Sequence, residues 1–290
     1  MSSALRSRVL GAALFFAVVA SATTSAQGRS STVLSATPFG GILAGDHLFA
    51  DRARLAFSPD GSFICLADRF GRSVIAVDRE GTEIWRIDMP AGREIGELAC
   101  DAVGRLILRP RGLAELWIYD QPSTPPRVLR MPAGWPADGR CELERVGSEV
   151  IVRAFSAPIR FRIVPPDSAF SEADTLAAPT ARIYANGPRG VFWFYQEGDR
   201  RLRGGSGGKD SIRLDGPLPP NALLAVGPGE VVWILDPARA HLNGYTPNGL
   251  PHGDYGLDPS VLDPIGFWID ASGAFWVADR ATGRYLRYAP

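Results

Sequence analysis

The sequence predicts an all-β fold built from six repeated units, and three observations predict it. Short runs of β-branched and aromatic residues recur along the chain with Gly, Pro and Asp between them, the mark of strands joined by tight turns. A turn glycine recurs at Gly61, Gly104, Gly147, Gly190, Gly229 and Gly273, in steps of 43, 43, 43, 39 and 44 residues. The ends are complementary as well. The last unit has room for three strands before Pro290, while Ser31–Thr37, upstream of the first complete unit, alternates like an edge strand.

The clearest unit is Arg54–Ile87. Leu55–Phe57 reads as a first strand, Pro59-Asp60-Gly61 as a tight turn and Phe63–Ala67 as a second strand. Asp68–Arg72 is a loop, Val74–Asp78 a third strand, Glu80-Gly81 a hairpin turn and Glu83–Ile87 a fourth strand. Every later unit repeats the opening pair. The pairs are Glu97–Cys100 with Leu106–Leu108, Cys141–Leu143 with Val150–Ala154, and Arg182–Tyr184 with Val191–Tyr195. Leu223–Val226 with Val231–Leu235 and Phe267–Ile269 with Phe275–Ala278 complete the series.

A two-stranded hairpin cannot bury both faces. Four-stranded repeats of about 40–50 residues stack as the blades of a β-propeller, each covered by its neighbours. Residues 27–290 therefore form one six-bladed domain, with blades at about 50–92, 93–136, 137–179, 180–219, 220–261 and 262–290. Residues 31–37 supply the outermost strand of the last blade by pairing with Arg284–Tyr288, which removes two open sheet edges at once.

The motif Phe57-Ser58-Pro59-Asp60-Gly61-Ser62-Phe63, followed by Leu66-Ala67-Asp68-Arg69 and Ile75-Ala76-Val77-Asp78-Arg79-Glu80-Gly81, resembles NHL-type repeats of TolB-like six-bladed propellers. The final unit carries the same pattern from Trp268 to Arg280. The likeness thins in units three and four, where Pro165-Pro166 and the run Gly204–Gly208 replace the usual hairpins. The resemblance implies a fold. It does not imply one activity, because such propellers include hydrolases, lyases and binding modules.

The N-terminus is expected to be removed. Arg6 and Arg8 without acids, the apolar run Val9–Ala20, and the small-residue sites Ala20-Ser21-Ala22 and Thr24-Ser25-Ala26 have the layout of a secretory signal over residues 1–26. The apolar run is shorter than the roughly twenty residues a membrane span requires. A periplasmic or secreted protein with no membrane span after cleavage is expected, and an uncleaved anchor is the alternative. Without Arg6 and Arg8 the chain carries 29 bases against 31 acids, so neither nucleic acid nor an anionic membrane surface is an expected partner. Lys209 is the only lysine, which we read as codon composition in a GC-rich bacterium. Three cysteines, Cys65, Cys100 and Cys141, are too few for a disulfide framework. If one bridge forms, Cys100–Cys141 is the expected pair, since both lie near the start of successive repeats.

Function is expected at one mouth of the central channel. In NHL-like propellers that mouth is ringed by the loops between second and third strands. Here those loops place Asp68, Arg69, Arg111, Asp236, Arg239, Asp279 and Arg280 on a rim that suits a carboxylate or another anion. The bland alternative is that each Asp accepts hydrogen bonds from its own turn and pairs with its own Arg. A non-catalytic module that holds a protein, peptide or small ligand, without a cofactor, is the leading expectation. The competing one is a metal-dependent hydrolase or lactonase. The resemblance implies a divalent ion such as Ca²⁺ held by oxygen ligands from different blades, at Asp51, Glu97, Glu142, Asn221 and Asp263.

Other chemistries lack their signatures. His47, His241 and His252 have no metal-binding spacing, and no G-x-S-x-G elbow is present. Gly204–Lys209 is not a phosphate loop, because Asp210 follows the lysine and no helix is expected there. Trp193, Trp233, Trp268 and Trp276 are expected to fill the space between blades, and Trp135, in a Pro- and Gly-rich link, is open to sugar stacking.

Overall fold

The computed structural model describes residues 32–35, 37–38, 54–68, 70–132, 135, 141–146, 149–154, 160–164, 169–173, 183–187, 192–195, 200–204, 210–258 and 263–290. Among them the strands group into six sheets, each made of strands consecutive in sequence and paired antiparallel, with the N-terminal strands added. Sheet one comprises Leu55–Phe57, Ile64–Ala67, Ser73–Val77 and Glu83–Asp88. Sheet two comprises Ile95–Cys100, Leu106–Pro110, Glu115–Tyr119 and Arg127–Arg130. Sheet three comprises Cys141–Val146, Glu149–Ala154, Arg160–Val164 and Ala169–Ala173. Sheet four comprises Ile183–Asn186, Phe192–Tyr195, Arg201–Gly204 and Asp210–Arg213. Sheet five comprises Leu223–Val226, Val232–Asp236, His241–Tyr245 and Pro251–Leu257, and sheet six Pro264–Ile269, Phe275–Asp279 and Arg284–Tyr288.

Each sheet has two ends. At the turn end lie the connections from first to second and from third to fourth strand; at the link end lie the second-to-third loops and the segments leading into the next sheet. The recurrent glycine sits at the turn end for a steric reason. Gly61, Gly104, Gly229 and Gly273 all have φ between 69° and 87°, a backbone that a Cβ disfavours. An aspartate supports three of these turns. Asp60 accepts the Ser62 N–H, Asp101 those of Val103 and Arg105, and Asp270 those of Ser272 and Ala274.

The second strands are buried along their whole length in sheets one, two, five and six, because a neighbouring sheet covers each face. Tryptophans fill these seams, and two of them require a glycine opposite. Trp233 faces Gly244 across the sheet, where an added Cβ would lie 2.7 Å from the indole. Gly204 has the same relation to Trp193, so the first glycine of the Gly204–Gly208 run belongs to a strand and a core contact. Residues 205–209 lie outside the described residues. Sheet six packs on sheet one: Trp276, Ala278 and Tyr285 join Leu55, Leu66 and Ile75 in one apolar cluster. The Tyr285 hydroxyl also donates to the Arg54 carbonyl at 2.9 Å.

The N-terminal strand differs from the expectation of a single partner in the last sheet. Thr37–Pro38 does pair antiparallel with Arg287 and Leu286, but Thr32–Leu34 pairs in parallel with Tyr255–Leu257 at the edge of sheet five. Leu34 is the reason. Its side chain is buried with Leu242, Leu257, Leu286 and Tyr288 in the seam between sheets five and six, so the segment crosses that seam and adds to both sheets.

Cys100–Cys141, the pair expected if one bridge forms, is not joined. Cys65 and Cys100 are free thiols, and the Cys100 sulfur lies 3.7 Å from that of Cys65. Cys100 is the last residue of its first strand and Cys141 the first residue of the next, so they occupy opposite ends of neighbouring strands, roughly 17 Å apart at about 3.3 Å per residue. Trp135 is not open to a sugar. It is 7% exposed, packed with Ala99, Met131 and Leu143 between sheets two and three.

Candidate functional site

The first strands of all six sheets line one central cavity of about 820 Å³. Its wall is apolar, with Leu55, Phe57, Leu98, Leu143, Leu224 and Phe267 contributed by five sheets and Ala185 by the remaining one, sheet four. The polar lining comes from the turn end. Ser58, Arg79 and Glu80 of sheet one, Arg145 of sheet three, and Asp270, Ser272 and Arg287 of sheet six meet there.

These polar groups differ in how far their own structure engages them. Arg79, in the turn between third and fourth strands, donates its Nε–H to the Gly61 carbonyl at 2.9 Å, which leaves the terminal nitrogens of its fork. Arg287 lies 3.8 Å from an Asp270 carboxylate oxygen, with its guanidinium carbon 5.9 Å from the centre of the Trp276 ring. Arg145 makes no hydrogen bond or ion pair among the described residues and is partly exposed. Asp270 remains a carboxylate. Burial pushes its pKa up, but hydrogen bonds from Ser272, the Trp276 indole and the Ala274 amide outweigh burial and hold it below its ordinary value. Among the described residues, three guanidinium groups thus face two carboxylates, Glu80 and Asp270, an excess of positive charge.

The rim expected from the sequence lies at the other end. Asp68 accepts the N–H groups of Arg72 at 2.6 Å and Ser73 at 3.2 Å, within its own loop. Asp236 accepts the Ala238 N–H at 3.0 Å and lies 3.8 Å from its own Arg239, which is 83% exposed. Asp279 is fully buried; it accepts the Asp263 N–H at 2.8 Å, the Thr282 N–H at 3.1 Å and the Thr282 hydroxyl at 2.7 Å. Arg280 donates to the Asp263 carboxylate from Nε and Nη2, both at 2.7 Å, and Arg111 sits 3.6 Å from Glu94. Arg69 lies outside the described residues. None of the described rim residues lines the cavity.

The five positions considered for a divalent ion are dispersed in their engagements. Glu97 is 3.0 Å from Arg54 Nε, and Asp263 is held by Arg280. Asn221 is exposed, with a left-handed backbone at φ 63°. The Glu142 backbone pairs with Arg153, while its side chain and Asp51 lie outside the described residues. Among the described residues no group of three or more His, Cys, Asp or Glu side chains is placed to hold a metal. His241 Nε2 lies 2.7 Å from Asp254, His252 packs edge-on against Trp233, and His47 lies outside the described residues.

Sequence reasoning missed Arg79, Arg145 and Arg287. Arg145 stands two residues before a recurrent glycine and Arg79 in a third-to-fourth turn, so a reading that placed the mouth at the turn end would have found them.

No family model matches this chain, and no curated protein matches it by sequence. Solved structures do match in shape. A gluconolactonase-like protein superposes with a TM-score of 0.60 over 88% of this chain and 91% of its own, at 13% identity. A catalytically inactive virginiamycin B lyase from Staphylococcus aureus, solved with quinupristin, gives 0.57 over 89% and 99%, at 11% identity. The Swd1 β-propeller domain of Myceliophteria thermophila gives 0.52 over 81% and 82%, at 12% identity. The fold is that of a β-propeller. At such identities the likeness concerns the fold alone, and propellers of this shape serve both catalysis and binding.

Proposed function

We propose that the chain is an exported six-bladed β-propeller, periplasmic or secreted, that binds an amphipathic carboxylate in its central cavity without chemistry on it. One observation carries this reading: an apolar cavity wall meets an arginine-bearing mouth. Ligand pockets commonly run to about 300–1,000 Å³, lined by apolar side chains with a few polar groups that fix orientation. A volume near 820 Å³ is of that size. The body of such a ligand would lie against Phe57, Phe267 and Trp268, and its carboxylate would meet the planar forks of Arg145 and Arg287. A peptide would enter the same site through its C-terminal carboxylate or an acidic side chain.

Tryptophan fluorescence tests this, because Trp268 and Trp276 line the cavity. Titration with 2-naphthoate should give saturable quenching, weakened at least tenfold in Arg145→Ala, and 1-naphthylmethylammonium should give none. Equal responses to the anion and the cation would overturn the proposal. The divalent-ion alternative would need Glu97 to leave Arg54 and Asp263 to leave Arg280. Metal analysis of the purified protein, with melting in the presence and absence of chelator, separates the two. Stoichiometric metal and a chelator-sensitive Tm would replace the binding reading with the enzymatic one.

A further inference from the structure

We propose that Cys65 and Cys100 are an oxidation site, and that a disulfide between them staples sheet one to sheet two. Cys65 lies in the second strand of sheet one and Cys100 ends the first strand of sheet two, 35 residues apart in sequence. Both are buried in the seam that joins these sheets, at 0% and 1% exposure, with their sulfurs 3.7 Å apart. A disulfide needs about 2.05 Å, so closing the gap takes a shift of under about 2 Å. Cys65 is flanked across the sheet by Ala56 on one side and Ala76 on the other, the smallest side chains that keep strand geometry.

The chemistry is thiol–disulfide exchange with an external disulfide, such as oxidised glutathione or a disulfide oxidoreductase. The thiolate of one cysteine attacks a donor sulfur and releases one donor thiol, forming a mixed disulfide. The second thiolate then displaces the other donor thiol. Two S–H protons leave, one S–S bond forms, and the donor disulfide is reduced to two thiols. Burial, with the Cys100 thiol alongside, pushes the Cys65 thiol well up, which disfavours the Cys65 thiolate in the closed seam. The exchange therefore takes place when sheets one and two separate, during folding or local opening, and the finished fold then protects the bond. Cys100 also lines the central cavity, so the staple fixes part of the wall on which a ligand would rest.

Refolding the full-length chain from denaturant with oxidised and reduced glutathione, then digesting it without reductant, tests the proposal. Trypsin should release a cross-linked pair of peptides, 55–69 and 94–105, two hydrogen atoms lighter than their sum. Reductant should lower the Tm of the oxidised protein by roughly 5–10 °C, the shift expected of a cross-link closing a loop of this length. Cys141→Ser should keep both results, and Cys65→Ala should lose both. A bridge from Cys100 to Cys141, or both thiols free after refolding with the donor, would overturn the assignment. The wild-type peptide map decides this even if a variant fails to fold, and it reads the bridge independently of any ligand.

Discussion

The two ends of the sheets carry similar residues in different employment. At the link end, Asp68, Asp236 and Asp279 each accept N–H groups from nearby backbone, and Arg280 is held by Asp263. At the turn end, Arg145 is uncommitted among the described residues, and Arg79 and Arg287 are committed only in part. An ionised group already satisfied by its own loop has little left to offer a ligand, and removing it exposes unsatisfied partners instead. Residue type alone therefore does not locate a binding mouth. What matters is whether the donors and acceptors are spent locally.

The largest expected effect tests the structural side of this contrast. Asp279→Ala strips a fully buried carboxylate from two amides and a hydroxyl, and should cost about 3 kcal/mol or more, read from the urea midpoint. An unchanged midpoint with lost ligand binding would reverse the roles of the two ends. Gly244→Ala, which drives a methyl group into the Trp233 ring, should cost about 1–3 kcal/mol and serves as a packing reference at neither end.

A smaller effect is expected from pH. The Asp270 carboxyl is held below its ordinary value in the fold, so the unfolded chain takes up its proton first as pH falls. Its contribution to stability is present above the ordinary value near 3.9 and is lost as pH drops through the lower folded value. Asp60 behaves alike: hydrogen bonds led by the Ser62 amide lower it to about 2. Acid unfolding monitored by circular dichroism should thus steepen below about pH 4, and Asp270→Asn should flatten that slope. The smallest stability effect belongs to Arg145→Ala, within about 0.5 kcal/mol of wild type, although the same change should produce the largest loss of naphthoate binding. A comparable loss of stability would make Arg145 a structural residue and erase the contrast.

Much of the architecture was legible along the chain. The recurrent glycines read out directly because Gly61, Gly104, Gly229 and Gly273 adopt a backbone that other residues resist. Strand positions followed from short runs of β-branched and aromatic residues between turn residues and were met within a few residues, as with Phe63–Ala67 against Ile64–Ala67. The site was legible only in its residue types. Arginine and aspartate were expected at a channel mouth, but the expected mouth was the link end, since nothing local distinguishes an aspartate that caps its own loop from one that faces a ligand.

The sequence by itself determined the all-β class, the period near forty and the turns, because short apolar runs and turn chemistry act over about ten residues or fewer. Tertiary structure decided the rest. It set Leu34 into the seam between sheets five and six, brought Cys65 rather than Cys141 to Cys100, and gathered Arg79, Arg145 and Arg287 at one mouth. Each of these depends on groups far apart in sequence, as far as the 231 residues between Tyr285 and Arg54, meeting through the packing of whole sheets. No local pattern encodes such a meeting, because it is fixed by the order and stacking of the sheets rather than by the residues beside it.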